Sequence, residues 1–186
     1  MKKVWSLLLS VLVLTGCAAA PKEMDRALAL RTKLLQSSAC SFDAQVTADY
    51  GDKLYTFGIQ CTADAKGDLT FRVTAPESIS GITGKITREG GVLTFDETAL
   101  HFELLADDQL SPVSAPWVLL KALRGGYITS AGMDGELLCV SVNDSYEDDA
   151  LNLDVWLNGD NVPEKADICY DGKRILSMRV ENAVIS

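Results

Sequence analysis

Few residues of this 186-residue chain have side chains that could do acid–base or covalent chemistry: one histidine, five cysteines and a cluster of carboxylates. His101 and Glu103 lie two residues apart in a predicted strand, so they share one of its faces. Such a pair could serve as a general base, but catalysis also needs a nucleophile and an oxyanion pocket, and the sequence shows neither. We therefore expect a solvated surface pair and a protein that is not an enzyme.

The acidic segment over residues 143–151 is a candidate metal site, because it brings together the carboxylates of Asp144, Glu147, Asp148 and Asp149. Calcium-binding loops place oxygen ligands at fixed positions, and the EF-hand spacing is absent here. The cysteines include no CxxC pair, which is a common spacing in zinc sites. The segment therefore predicts a charged turn between two strands, and we expect neither a metal nor a cofactor.

Cys40 and Cys61 are the cysteines whose spacing favours a disulfide, which export from the cytoplasm would permit. They lie at the far ends of one predicted hairpin. With Gly51-Asp52 as its loop, Cys61 faces Phe42 and is diagonal to Cys40, whereas a slip of the turn sets the two cysteines directly opposite. Both registers place them on one face, so we expect a Cys40–Cys61 bridge that adds about 2–4 kcal/mol of stability.

Cys139 and Cys169 are predicted to remain free thiols. In the predicted order of strands they fall two strands apart, which is about 10 Å at the usual strand spacing. A disulfide requires a closer approach than that. We expect small, half-buried side chains at both positions.

The N-terminal segment predicts the attachment of a lipid to Cys17. Two lysines precede an apolar run over residues 4–14, which has the length of a signal peptide's core and is shorter than the ~20 residues of a spanning helix. The sequence Leu-Thr-Gly-Cys at 14–17 then resembles the lipobox of bacterial lipoproteins. This resemblance implies cleavage before Cys17 and a diacylglycerol thioether on its sulfur. The alternative is an ordinary secretory signal cut near residues 18–20, which would leave a soluble product.

These features divide the chain into a signal peptide over 1–16, a lipidated tether over 17–22 and one domain over 23–186. Without the signal peptide the chain has 15 basic residues (17 less Lys2 and Lys3) against 26 acidic ones, a net charge of −11. This charge argues against nucleic acid as a partner and repels an anionic membrane, so the anchor must hold the protein there. We expect an extracytoplasmic protein on the outer face of the cytoplasmic membrane, or on an outer membrane where the host has one.

The domain is predicted to be mainly β with helices. Segment 23–37 predicts an amphipathic helix whose stripe holds Met24, Ala27, Leu28, Arg31, Leu34 and Leu35. From residue 40 the period of apolar residues changes to two, which is typical of strands. Strands are expected in a hairpin over 40–61 and then over 69–76, 81–87, 91–96, 99–105, 136–142, 150–157, 165–171 and 174–184. The short turns between them, one of them predicted at Lys66-Gly67-Asp68, favour antiparallel pairing in chain order. A tight turn over 143–149 would set Leu138, Val140 and Val142 opposite Leu157, Val155 and Leu153.

Segment 111–126, SPVSAPWVLLKALRGG, interrupts this pattern with a short apolar helix over 115–123. Each predicted strand is apolar on one side only, so the apolar face of the sheet needs a cover. We expect a curved, half-open antiparallel barrel with this helix on its concave side. The inward-facing candidates for a ligand cavity are Phe42, Phe57, Phe71, Phe95, Phe102, Trp117 and Leu120. The alternative is that the same side chains simply form a filled core.

The order of these elements resembles the lipoprotein-localisation-factor superfamily, the LolA/LolB-like fold, over roughly residues 23–184. The resemblance rests on four features: the lipobox, the amphipathic first helix, a meander with a Gly-centred early hairpin, and the apolar insertion after Ser111-Pro112. The last segment, YDGKRILSMRVENAV, matches the family's final hairpin in outline through Asp171-Gly172 and residues 180–184. The resemblance implies an unclosed barrel with helices inside that holds acyl chains, or contacts partner proteins, without catalysis.

Two features of that family have no counterpart that the sequence identifies: the early-strand arginine that holds the helical lid of LolA, and the exposed apolar loop residue of LolB. Transfer of lipoproteins between two membranes is therefore not implied. Two hypotheses remain. The protein is a membrane-anchored lipoprotein that binds an apolar ligand, meaning acyl chains, a lipid or a lipidated protein, in the half-barrel. Alternatively, it is a non-catalytic lipoprotein of the same fold that docks on or regulates a cell-envelope enzyme.

Overall fold

The computed structural model describes residues 22–49, 51, 53–102, 105–106, 109–147 and 150–186, with the backbone alone at 105, 106 and 109. The predicted signal peptide and Cys17 lie outside these residues. The helices are α1 (Lys22–Gln36) and α2 (Ala115–Gly125). The strands are β1 (Ala39–Asp49), β2 (Leu54–Asp64), β3 (Leu69–Ala75), β4 (Thr83–Thr87), β5 (Gly90–Phe95), β6 (Thr98–Phe102), β7 (Leu105–Ala106), β8 (Gln109–Leu110), β9 (Tyr127–Asp134), β10 (Leu137–Asn143), β11 (Asn152–Leu157), β12 (Pro163–Tyr170) and β13 (Lys173–Ile185).

Eleven of the described strands form one antiparallel sheet in the order β6-β5-β4-β3-β2-β1-β13-β12-β11-β10-β9, and β7 and β8 form a separate small hairpin. Each half of the sheet follows chain order, as predicted. The halves join where β1 pairs with β13, from Cys40 opposite Ile185 to Ala48 opposite Leu176. Because β6 and β9 are the two edges and do not pair, the sheet is a curved, half-open barrel with two helices, which confirms the predicted fold class.

The strands are stabilised because alternate side chains are buried on the apolar face of the sheet. The buried residues of β1 are Cys40, Phe42, Ala44, Val46 and Ala48, each two residues after the last. The predicted register of β10 with β11 is also confirmed, with Leu138 opposite Leu157 and Val140 opposite Val155. Strand β9 was not predicted, because its residues are mostly exposed and show no such alternation.

Helix α1 is rotated relative to the predicted stripe. Ala27, Leu30 and Leu34 are its buried residues, whereas Leu28 and Leu35 are 45% and 56% exposed. The spacing of three and four residues between the buried side chains is that of one helical face. Leu28 and Leu35 were therefore wrongly assigned to the buried side, and Leu30 was missed, because two stripes of similar polarity compete in this sequence.

Helix α2 is the apolar insertion that the sequence predicts, and it lies in the core. Eight of its residues are buried: Ala115, Pro116, Trp117, Val118, Leu119, Leu120, Ala122 and Leu123. Burying one leucine contributes about 1.5–3 kcal/mol, so this helix is a large part of the core. The helix ends against β10 at Gly126, where a Cβ atom would lie 2.6 Å from Cγ1 of Val142. Only glycine permits this approach.

The buried aliphatic, aromatic and thiol side chains of the described residues, from Ala27 to Val180, form one core. No helix among the described residues is long and apolar enough to span a membrane.

Candidate functional site

Trp117 and Arg124 join α2 to the turn between β2 and β3. The Nε1 of Trp117 donates to the carbonyl oxygen of Gly67 at 3.1 Å. The guanidinium of Arg124 donates to the carbonyl oxygens of Asp64 and Ala65. These bonds hold one side of the helix to the rim of the barrel.

The turn is shaped to accept these bonds. The Oδ1 of Asp64 accepts the backbone N–H groups of Lys66 at 2.8 Å and Asp68 at 3.1 Å, which closes the turn. Gly67 has a φ of +90°, a conformation that favours glycine. An ion pair of 2.8 Å between Lys85 and Asp68 links the turn to β4. The turn at 66–68 is therefore where the sequence predicts it.

Lys121 joins α2 to the loop between β10 and β11. Its Nζ lies 3.1 Å from Oδ2 of Asp144, whose Oδ1 accepts the backbone N–H of Leu151 at 2.8 Å. The same Nζ lies 5.7 Å from the centre of the Trp117 ring, within cation–π range. The side chain of Lys121 is 48% exposed, so its ion pair contributes less than about 1 kcal/mol.

A cleft of about 700 Å³ opens along α2 between these attachments. Its volume lies within the roughly 300–1,000 Å³ of small-molecule sites. The apolar side chains that line it are Leu35, Trp117 and Leu120, and the charged ones are Arg88, Lys121, Arg124 and Asp144. The cleft thus combines an apolar floor with a mainly cationic rim.

Leu120 lies between this cleft and a small apolar cavity on the other side of the helix. It is the one residue that lines both spaces. The small apolar cavity holds about 10 Å³, which is room for about one water molecule. Its lining is apolar apart from a thiol and includes Leu34, Phe42 and Leu119. The concave side of the barrel is therefore filled by α2 rather than open.

The structure brings together three of the seven predicted cavity residues. Trp117 and Leu120 line the cleft, and Phe42 lines the small apolar cavity with Leu120. Phe71 is buried elsewhere in the core, where its ring occupies the space that a Cβ of Gly84 on β4 would need. Phe71 therefore fills the core and does not line either cavity.

The remaining three candidates lie away from the cleft. Phe57 and Phe102 are half-buried and pack against the core, the ring of Phe102 lying over Gly91. Phe95 is 56% exposed, so its prediction as a cavity residue is wrong. It adjoins the turn between β5 and β6, where the chain leaves the core. The alternation of residues along a strand predicts which face of the sheet a side chain occupies. It does not predict whether other residues cover that face at the tip of a hairpin.

Cys40 and Cys61 are buried, free thiols. Cys61 is opposite Phe42 and Cys40 is opposite Ala63, so the two are diagonal, which is the first of the predicted registers. Diagonal neighbours lie about 7–8 Å apart, and a disulfide needs a closer approach. The predicted bridge is therefore not formed in this register. Burial raises the pKa of the Cys61 thiol, and the charges of Asp43 and Cys40 raise it further.

The other reactive candidates do not form a site. Cys139 and Cys169 are free, half-buried thiols on β10 and β12, two strands apart as predicted. His101 is exposed on β6. Among the described residues, no three His, Cys, Asp or Glu side chains are placed to hold a metal ion. Four residues that the sequence singled out lie outside the described residues: Cys17, Glu103, Asp148 and Asp149.

Sequence reasoning missed the cations of the cleft. Lys121 and Arg124 are three residues apart on α2, a spacing that could have indicated a shared polar side. Arg88 lies in the turn between β4 and β5, and only the fold brings it to α2. No local pattern marks that residue.

No family model matches the chain, and no curated protein matches it in sequence. Several solved structures resemble it. One is a LolA superfamily protein from Nitrosomonas europaea, with 8% identity and a TM-score of 0.47 over 86% of this chain and 93% of that one. Another is a conserved protein from Thermus thermophilus, with 10% identity and a TM-score of 0.48 over 88% and 87%. A third is the Mycobacterium tuberculosis lipoprotein LppX, with 11% identity and a TM-score of 0.42 over 87% and 93%.

The chain is similar in fold to LolA superfamily proteins. The resemblance drawn from the sequence is confirmed to that extent. At these identities and TM-scores the similarity carries no statement about a ligand, a partner or an activity, so the function is argued from the cleft alone.

Proposed function

We propose that the protein is an extracytoplasmic lipoprotein, anchored to a membrane through Cys17, that binds an acyl chain of a lipid or of a lipidated protein along α2. The observation that carries the proposal is the position of Leu120 between the cleft and the small apolar cavity, both of which it lines. Acyl chains bind in concave, mainly apolar sites. A small displacement of α2 joins the two spaces into one apolar channel.

The polar contacts along the open side of α2 are weak, and the displacement must leave the eight buried side chains of the helix in the core. These contacts are the bond from Trp117 to Gly67, two bonds from Arg124, and the ion pair of Lys121 with Asp144. At no more than about 1 kcal/mol each, they amount to at most about 4 kcal/mol. Burial of about five methylene groups, at ~0.8 kcal/mol each, offsets their loss. An acyl chain of ordinary length exceeds that number.

The anchor is tested separately from the ligand. Bacteria that express the full chain are fed an alkyne-bearing palmitate, and the protein is purified and examined for the label. We expect the unaltered chain to carry the label. Cys17→Ser should carry none, because the sulfur that bears the lipid is absent. Equal labelling of both proteins would remove the anchor from the proposal. It would leave the cleft unaffected.

The ligand is tested through tryptophan fluorescence on the chain from residue 18, which lacks Cys17 and retains every described residue. Three tryptophans occur in the sequence, and two of them, Trp117 and Trp156, remain in this chain. In Trp156→Phe, dibromostearate is expected to quench Trp117, because bromine quenches at contact. The control is Trp117→Phe, in which Trp156 on the opposite face of the sheet should keep its fluorescence.

The proposal fails if dibromostearate, up to its solubility limit, leaves Trp117 unquenched. Unbrominated stearate serves as a second control and should displace the quencher. If the full chain instead purifies with one stoichiometric envelope protein and no lipid beyond its anchor, the docking hypothesis replaces this one.

A further inference from the structure

The cleft carries a charge opposite to that of the protein. The whole chain has a net charge of −9, yet the lining of the cleft has three cations, Arg88, Lys121 and Arg124, and a single anion, Asp144. A concave surface of one sign concentrates ligands of the other sign. The rim therefore selects for negative charge, while the floor is apolar.

The cations of the rim are not all neutralised by the protein. Asp144 accepts from the backbone of Leu151 and pairs with Lys121, so this carboxylate balances one cation. The carboxylates of the adjoining turn are also engaged. Asp64 accepts two backbone N–H groups, and Asp68 pairs with Lys85. Among the described residues, no ion pair joins the other two cations of the rim to a carboxylate.

Arg88 and Arg124 hold those two charges. Arg124 donates to two backbone carbonyl groups, which orient the guanidinium but do not cancel its charge. A guanidinium has five N–H donors, so others remain for a ligand. Arg88 is exposed and makes no hydrogen bond or ion pair to any described residue. Its planar group matches a carboxylate or a phosphate, to which arginine binds through two parallel hydrogen bonds.

The apolar part of the cleft adjoins this charge. Leu35 on α1 is 56% exposed and lies on the wall of the cleft, and Trp117 and Leu120 form the floor. Trp117 and Leu120 are 7% and 4% exposed, so a purely ionic ligand would leave mainly Leu35 uncovered. A purely apolar ligand would desolvate the arginines without a partner, which is unfavourable. A ligand that has both a charged head and an acyl chain satisfies both surfaces.

We infer that the cleft selects anionic amphiphiles, placing a carboxylate or phosphate head at Arg88 and Arg124 and the acyl chain over Trp117 and Leu120. The inference rests on the proposed function and adds the charge of the head group to it. The occupant is a single amphiphile in the cleft and not a membrane surface, since the protein as a whole is acidic.

The test compares head groups on one brominated chain. The protein is the Trp156→Phe chain from residue 18, and the probes are dibromostearate, dibromostearyl alcohol, and the lysophosphatidylglycerol and lysophosphatidylcholine that carry the same acyl group. All are used below the concentration at which they aggregate. At about 0.1 M salt we expect the two anionic probes to bind about fivefold more tightly than their uncharged or zwitterionic counterparts. The preference should shrink at about 1 M salt, where the Debye length is ~3 Å.

Arg88→Glu is the decisive variant, with Arg72→Glu as its matched control. Arg72 is exposed on the other face of the sheet, so its replacement changes the net charge equally but leaves the cleft intact. We expect Arg88→Glu to weaken the anionic probes about fivefold and to leave the alcohol unchanged, and Arg72→Glu to change neither. Urea unfolding checks that each variant is folded. If Arg88→Glu folds poorly, Arg88→Gln replaces it in the comparison.

Different outcomes overturn different statements. Equal affinity for the alcohol and the carboxylate, or equal effects of the two glutamate variants, overturns the head-group inference and leaves acyl-chain binding in place. Quenching by the carboxylate but not by the lysophosphatidylglycerol restricts the head to a carboxylate. Absence of quenching by every probe overturns the proposed function and this inference with it.

Discussion

The Nε of Arg31 on α1 donates to the carbonyl oxygen of Leu123 on α2 at 2.9 Å, and the same guanidinium reaches the carbonyl oxygens of Gly126 at 2.7 Å and Ala122 at 3.5 Å. These carbonyl groups end α2, where the last carbonyl groups of a helix lack partners within it, although that of Ala122 also accepts the backbone N–H of Gly126 at 2.8 Å. A cation at the C-terminus of a helix also complements its dipole. Helix α1 therefore caps α2, and the inserted helix is held firmly at this end and weakly along the cleft.

Replacement of Arg31 is expected to destabilise the protein. Arg31→Gln should lower the free energy of unfolding by about 2 kcal/mol, since three carbonyl groups lose a charged donor. Arg31→Lys should lower it less, because an ammonium keeps the charge but cannot span the three acceptors. Burial lowers the pKa of the Arg31 guanidinium, which remains charged at neutral pH. Urea unfolding checks this ranking, and an unchanged midpoint in Arg31→Gln contradicts the capping role.

The two tryptophans of the domain are expected to respond differently to the same change. Trp117→Phe removes the bond to Gly67 from a side chain that is 7% exposed, and should lower the free energy of unfolding by about 1–3 kcal/mol. Trp156→Phe removes a bond of 2.7 Å to Asp134 on the solvent-exposed face, and should lower it by less than about 1 kcal/mol. Thermal and urea unfolding of both variants measure the difference. Equal losses would contradict the assigned role of Trp117.

Leu120 is expected to control the path between the two cavities. Leu120→Ala should lower the free energy of unfolding by about 2–5 kcal/mol and at the same time raise the affinity for a long acyl chain, because the cleft then opens into the interior. Leu119→Ala is the matched control, since Leu119 is also buried and lines the small apolar cavity but not the cleft. It should lose similar stability without a gain in affinity. Titration with dibromostearate distinguishes the two variants, and identical binding curves would refute the role given to Leu120.

The stability of the reduced protein is expected to fall at alkaline pH because of Cys61. Its thiol pKa is raised by burial above the ordinary value of 9.0, so above that pH the unfolded chain releases a proton that the folded chain keeps. The unfolded state then binds fewer protons, and the free energy of unfolding decreases by up to about 1.4 kcal/mol per pH unit. Below about pH 8 both states are protonated and the thiol makes no difference.

Urea unfolding in the presence of a reductant, from about pH 8 to about pH 10.5, checks this slope. Cys61→Ala should begin from a lower stability, since a buried side chain is shortened, but should show a shallower decline. Parallel slopes in the two proteins would mean that other groups cause the alkaline loss.

Local patterns predicted those parts of the fold that depend on neighbouring residues. The register of β10 with β11 follows from a short turn and matching apolar faces, and the turn at Lys66-Gly67-Asp68 follows from its residue types. The position of helix α2 is predicted by the prolines at its start and by the run of apolar residues that follows. The bridge between Cys40 and Cys61 was expected in either of two registers because both place the cysteines on one face, but in the register that the structure has they are diagonal and remain free thiols.

The sequence by itself determined the alternation of the strands, the apolar character of the inserted helix and the acidity of the chain, because each depends on residues close together or on composition. The tertiary structure alone decided that β1 pairs with β13, that Phe95 projects beyond the core, and that Arg88 meets α2. These placements join residues far apart in the chain, and their free energies come from surfaces that exist only after the barrel has curved around α2. For that reason the cations of the cleft could not be found from local spacing.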